Sequence, residues 1–196
     1  PYLGDVIKKN SYDQIYDEHV YVFSALAVQK IFDMFDMELI DLQPQSTHGG
    51  SMRYFISHKG SYEKSKNVDK VINMEINLGL NKEITFRQFS KKIQKSRIEL
   101  RELLKKLKSK GKKIAGYAAT SKSTTILNYC DIGPDLIDYI TDTTPIKQNK
   151  FSPGMHIPIV DYQYFKDNPP DYAFLFAWNH SNEIMEKELE YNNSGG

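Results

Sequence analysis

The chain has 196 residues, 40% hydrophobic and 26% charged, which suits one ordinary domain or two small ones with a sizeable core and argues against a disordered chain. Lysine plus arginine total 26 against 25 acidic residues, a formal net charge of +1, so no global field draws it to nucleic acid or to an acidic membrane. With a mean hydropathy of -0.55 and no apolar run near the roughly 20 residues that cross a bilayer, a membrane-spanning chain is excluded. The single cysteine, Cys130, leaves neither an internal disulfide framework nor a cysteine zinc cluster, so no metal is expected and the expected compartment is the reducing cytoplasm.

The chain opens at Pro1 with no initiator methionine and no signal-peptide pattern, and reads as a cut. Residues 20–36 carry Phe23, Leu26, Val28, Ile31, Met34 and Phe35 near helical spacing, with Ser24 available to begin the helix. Residues 37–42 and 51–57 are short, partly alternating runs flanking a loop, and predict two strands at the end of a larger sheet. Residues 68–80 and 86–110 predict helices. Phe89, Ile93, Leu100, Leu103, Leu104 and Leu107 form one face of the second, which Gly111 ends. Its other face carries Lys91, Lys92, Lys95, Arg97, Arg101, Lys105, Lys106, Lys108 and Lys110 with Glu99 and Glu102 between them. A solvated face is the commoner use of such a pattern, and nucleic-acid binding is the alternative.

Beyond Gly111 short strands and helices alternate. The pattern predicts strands over 113–118, 136–141 and 172–178 and helices over 124–130, 162–167 and 182–189, a βαβαβα unit with ligands outside the carboxyl ends of its strands. The fold class is therefore α/β, with a boundary near Gly111. The polar tail of Asn192, Asn193, Ser194, Gly195 and Gly196 is expected to fray.

Four segments carry chemistry. Tyr16-Asp17-Glu18-His19 places phenol, carboxylate and imidazole together ahead of the first long helix, the ingredients of proton transfer, although a histidine near a helix start is also an ordinary cap or packing residue. Thr47-His48-Gly49-Gly50-Ser51-Met52-Arg53 is either a glycine hairpin turn or a loop whose glycines admit a ligand to His48, Ser51 and Arg53. Residues 116–125 form a small-residue strand-to-helix turn with Lys122 and Thr124. It lacks the glycines of a Walker or dinucleotide loop, so phosphate contact and plain helix capping both stand. Asp142-Thr143-Thr144-Pro145, with Lys147, Gln148, Lys150, Pro153, Gly154 and His156, follows a strand and is either a ligand loop or a proline-rich surface loop. Trp178, in Trp178-Asn179-His180, is read as core.

Taken in this order, Tyr12-Asp13-Gln14-Ile15-Tyr16-Asp17-Glu18-His19, Thr47-His48-Gly49-Gly50-Ser51, residues 116–128, the 142–158 loop with Lys147-Gln148 and Pro153-Gly154-Met155-His156-Ile157-Pro158, and Ala177-Trp178-Asn179 resemble the C-terminal half of the S-adenosylmethionine-dependent sugar C-methyltransferases. The resemblance covers nearly the whole chain. It implies that residues 1–60 are the tail of a Rossmann-like methyltransferase domain, 61–110 a helical connector, and 111–196 a small Rossmann-like domain that binds a nucleotide-diphosphate sugar.

The resemblance further implies a base that removes a proton beside a sugar ketone. His19 takes that role, Glu18 orients it or the sugar, and Tyr16 donates to the sugar oxygen. His48, Gly49, Gly50, Ser51 and Arg53 line the sugar side. Lys122, Thr124, Asp142, Lys147, Gln148, Pro153, Gly154 and His156 hold the nucleotide and its phosphates, Lys147 being the charge partner. The family's tetrad is Tyr-His-Glu-His, and here Asp17 stands second. The zinc-binding domain and the glycine-rich S-adenosylmethionine loop have no counterpart in this sequence, so the methyl donor's main motif is missing and the chain is expected to be inactive alone. The strand pair would then expose an edge that seeks the missing N-terminal half or a second copy. Two other readings remain: a non-catalytic nucleotide-sugar-binding or assembly module, and an RNA-binding protein using the lysine-rich helix.

Overall fold

The computed structural model describes residues 1–193 and 195; Ser194 and Gly196, part of the tail expected to fray, lie outside the described residues. The chain divides into two compact units, Pro1–Gln94 and Lys95–Gly196.

The first unit opens with α1 (Leu3–Lys9), which carries Asp5 in its first turn, Lys8 and Lys9 in its last and a left-handed Asn10 cap, all matched to the helix dipole. α2 (Ala25–Asp33) begins at its Ser24 cap, the start the sequence offers within its apolar stretch. Phe23 makes a parallel bridge with Tyr2, and the Leu3 N–H donates to the Phe23 carbonyl, so the chain is held extended until the Ser24 hydroxyl caps the Ala27 N–H. β1 (Met37–Gln45) and β2 (Ser51–His58) pair antiparallel from Met37 opposite His58 to Gln45 opposite Ser51, with an irregularity between Leu39 and Asp41. Among the described residues this sheet has these two strands alone.

α3 (Lys66–Leu78) packs with α2 on β1 through Ala25, Val28, Leu39, Leu42, Val68 and Val71. The first part of the expected connector therefore belongs to this unit. Glu75 of α3, with no exposed surface, accepts from the Tyr2 hydroxyl at 2.9 Å and from the Ala25 and Leu26 N–H groups at 2.7 and 2.9 Å. A carboxylate on one helix thus satisfies two of the free amides that open another.

α4 (Glu83–Ser109) contains the division between the units. Of its predicted apolar face, Leu104 is buried, while Leu103 lies open to solvent.

The second unit continues with β3 (Ile114–Tyr117), α5 (Ser121–Cys130), β4 (Tyr139–Thr141), β5 (Lys150–Phe151), β6 (Pro158–Val160), α6 (Tyr162–Asp167), β7 (Tyr172–Leu175), α7 (Ser181–Lys187) and α8 (Leu189–Asn193). The sheet order is β5-β6-β4-β3-β7, parallel except for β5. The predicted α/β class and Rossmann-like alternation hold. Between β4 and α6 lies a strand that the pattern does not reveal, β6, with a two-residue edge strand paired to it. Asn192 and Asn193, expected to fray, close α8.

β3 is buried at all four residues. A side chain at Gly116 would meet Phe176 at 2.7 Å and Ile140 at 3.0 Å, so glycine is required where sheet neighbours and loop close in from both sides. Because β7 returns to the far side of β3, strand order reverses there, and the crevice outside the carboxyl ends is the binding position of open parallel sheets.

Candidate functional site

In the first unit, the short 3-10 turn Tyr12–Gln14 leads into the loop that carries Tyr16 and His19. His19 Nδ1 lies 2.8 Å from the Gln14 carbonyl and Nε2 lies 3.0 Å from the Tyr16 hydroxyl. A carbonyl only accepts, so Nδ1 carries the proton, and the Nε2 lone pair of the neutral ring accepts from the phenol. Burial raises the Tyr16 pKa, and the charges of Glu18, Asp13 and Asp17 raise it further. The phenol therefore stays a donor through neutral pH.

Glu18 is exposed and acts on Tyr16 through its charge; its side chain has no hydrogen bond or ion pair among the described residues. The His48 ring stands edge-on to His19, with centroids 6.2 Å apart, on a backbone with left-handed φ of 54°. The structure thus gathers Tyr16, His19 and His48, from loops 29 residues apart. Arg53 is exposed on β2 opposite Gln43, Ser51 opens that strand, and Gly49 follows His48 in the turn.

Gly50 has a φ of 140°, and a Cβ there would fall on the Asp5 carboxylate; its carbonyl accepts from the Tyr2 N–H. The glycine requirement at Gly50 comes from close packing on α1.

In the second unit, Asp142 organises the carboxyl end of β4. Its Oδ2 accepts from the Ala119 N–H at 2.7 Å and Lys147 Nζ at 3.4 Å, and its Oδ1 from the Thr144 N–H at 2.8 Å. Burial pushes this carboxyl up, but the hydrogen bonds from Thr144 and Ala119 and the Lys147 charge together hold it below the usual range. Gln148 donates to the Asp142 carbonyl, and Lys147 to the Ala119 carbonyl. Gly154 has a φ of 80°, and a Cβ there would strike the Asn128 amide, whose Nδ2 donates to the Pro153 carbonyl. His156 is exposed in a left-handed conformation.

Lys122 is buried, with Nζ 2.6 Å from Asn179 Oδ1 and 5.4 Å from the centre of the Trp178 ring. It clamps the start of α5 to the turn after β7. Trp178, read as core, is half-buried beneath it.

Two cavities open on this side. One, of about 340 Å³, is lined by Tyr117, Asp142, Tyr162, His180 and Lys187 among others. The second, of about 290 Å³, lies between α5 and the following loop and takes in Thr124, Lys147 and Pro153. Lys122, Gln148, Gly154 and His156 line neither.

Several cations of the lysine-rich helix are paired. Arg101 donates to the Cys130 and Asp131 carbonyls and the Asp131 carboxylate, and Lys108 Nζ donates to both carboxylate oxygens of Asp138. Lys95 faces Glu99, and Lys105 faces Glu102. Among the described residues no three His, Cys, Asp or Glu side chains gather as a metal site, and no helix is long and apolar enough to cross a membrane.

Residues 46–196 match a family described as the C-methyltransferase C-terminal domain. The chain belongs to the C-methyltransferase family. It is 33% identical over 197 residues to C-methyltransferase NovU of Streptomyces niveus, a similarity that covers all of this chain and 47% of that protein. The chain thus spans about half the length of this curated relative. The Tyr16 and His19 segment precedes the family match and lies within the similarity to NovU.

Sequence reasoning names His19 and misses what orients it. The acceptor at Nδ1 is a main-chain carbonyl, which carries no side-chain signature. Lys150 is noted only within its loop, and Phe151 passes unnoticed because strand and loop residues alternate there without a readable period.

Proposed function

We propose that this chain is the proton-abstracting and substrate-recognising part of a C-methyltransferase that acts on a keto-sugar linked to a nucleoside diphosphate. The carrying observation is the Gln14–His19–Tyr16 arrangement. With Nδ1–H on the Gln14 carbonyl, Nε2 is the basic nitrogen.

Nε2 removes the proton from the carbon beside the sugar ketone, and the C–H electron pair passes into that carbonyl as the enolate forms. For this the Tyr16 hydroxyl first turns from Nε2 to the substrate carbonyl oxygen, which frees the nitrogen's lone pair and leaves the phenol donating to the oxyanion as it develops, while the Gln14 carbonyl stabilises the imidazolium. Burial, with the Glu18 charge adding to it, raises the pKa of the Tyr16 phenol above its ordinary value. His48 and Ser51 lie toward the sugar, and the second unit holds the nucleotide, with Lys147 at its phosphates.

Family membership implies S-adenosylmethionine as the methyl donor. The first unit's described residues do not fit a donor site: its sheet is one antiparallel pair, and Asp5 fills the space at Gly50. No step through the donor is assigned to these residues. Exposed Val20 and Tyr21 beside the His19 loop support a partner surface for the remainder of the enzyme or for a second copy.

The test is His19→Asn in the complete enzyme, read by loss of the substrate's carbon-bound proton to deuterated solvent with no methyl donor present. Exchange and methyl transfer should both disappear while nucleotide-sugar affinity stays within about twofold. Exchange at the wild-type rate would remove His19 as the base.

A further inference from the structure

The cavity between α5 and the loop after β4 has two unlike walls. One carries the hydroxyls of Ser121 and Thr124. The other carries Ile146 and Phe151, 73% and 64% exposed. Exposed apolar side chains scattered singly need no explanation, but these two border the same cavity as Lys147 and Lys150.

Phe151 is also held in place. It pairs with Pro158 in the β5–β6 ladder, and the neighbouring Ser152 N–H donates to the Ile157 carbonyl at 2.8 Å. The backbone beneath the ring is therefore fixed before any ligand arrives, which lowers the entropy cost of stacking on it. Lys147 is anchored to the Ala119 carbonyl, whereas the exposed Lys150 ammonium makes no hydrogen bond or ion pair among the described residues.

The ligand that meets an anchored aromatic face, two cations of which Lys147 is paired with Asp142, and hydroxyls within about 290 Å³ is a planar base attached to phosphates. The geometry points to Phe151 as the platform on which the base of a nucleoside diphosphate stacks, with Lys150 beside its phosphates. This rests on the reading that the second unit holds the nucleotide, and adds where the base lies. Stacking uses the ring face that every base possesses, so this contact discriminates nucleotide from pyrophosphate and not one base from another.

The experiment is calorimetric titration of the full chain with uridine and thymidine diphosphates and, separately, with inorganic pyrophosphate. Phe151→Ala should weaken both nucleotides about tenfold and leave pyrophosphate unchanged. Phe151→Trp should restore nucleotide affinity, and Lys150→Ala should weaken all three ligands. Far-ultraviolet circular dichroism checks that each variant is folded. Equal nucleotide affinity in wild type and Phe151→Ala overturns the platform alone. Failure of the wild-type chain to bind either nucleotide overturns the underlying nucleotide reading, and the platform with it.

Discussion

Replacing Glu75 by alanine tests how the start of α2 and Tyr2 are anchored to α3. The carboxylate has no exposed surface and serves the Tyr2 hydroxyl and the Ala25 and Leu26 N–H groups. Truncation leaves all three donors without that acceptor in a buried setting, at about 1–3 kcal/mol each. It also removes a negative charge from the start of α2, about 0.3–1 kcal/mol. Some relaxation and water entry lower the sum, and the Ser24 cap on Ala27 survives, so the expected loss is about 3–5 kcal/mol. Against a typical stability of about 5–15 kcal/mol, this is severe. Urea unfolding followed by far-ultraviolet circular dichroism should show the midpoint falling by about 2 M, for a slope of about 1–3 kcal/mol per molar. Glu75→Gln, which keeps a carbonyl oxygen, should lose about half as much. A loss below about 1 kcal/mol for Glu75→Ala would refute the assignment of this carboxylate as the anchor.

Gly50→Ala meets both a φ of 140° and the Asp5 carboxylate, and should cost about 2–4 kcal/mol in thermal unfolding; adding Asp5→Ala should return part of that loss, and an undisturbed single variant would contradict the packing. Lys122→Met removes the bond to Asn179 and should cost about 1–3 kcal/mol, with nucleotide affinity by calorimetry changed by about twofold or less. A tenfold loss of affinity would make Lys122 a direct phosphate contact. At alkaline pH, Tyr117 and Tyr162 both donate to buried Glu188 at 2.7 Å. Burial, reinforced by the hydrogen bond to Glu188 and its charge, pushes Tyr162 up to about 12 and raises Tyr117 as well. The folded chain holds these protons more tightly than the unfolded chain, whose phenols titrate near about 10. The Tyr162 contribution is therefore complete below about 10 and is lost as pH rises through about 12, and that of Tyr117 is lost at higher pH still. Tyrosinate absorbance with melting temperature across this range checks it, and two phenols ionising at the ordinary value would contradict it.

The long elements were legible because they repeat. α4 shows several turns of apolar spacing, and α3 and the β1–β2 pair fall close to their predicted places. Short elements defeat periodicity: β6 is three residues beginning with proline, and β5 is two. α2 starts at its Ser24 cap, the residue the sequence offers, and the stretch before it stays extended because Phe23 pairs with Tyr2, a contact between segments far apart in sequence. α5 begins three residues ahead of its prediction because Thr120, one of several hydroxyl residues there, takes the cap position. Within the site, the Tyr16 and His19 pairing is local, three residues apart. The approach of His48 needs the fold, and Glu75, one of two acids on an amphipathic helix, gives no sign of the helix it caps.

Imidazoles in enzymes are often oriented by a carboxylate, which a single codon change can delete. For His19 the orienting group is the peptide carbonyl of Gln14, present whatever amino acid stands at that position. The tautomer is therefore shielded from point substitution and vulnerable to changes in chain path, such as an insertion or deletion between residues 14 and 19. Drift in this stretch should accordingly tolerate altered side chains far more readily than altered length.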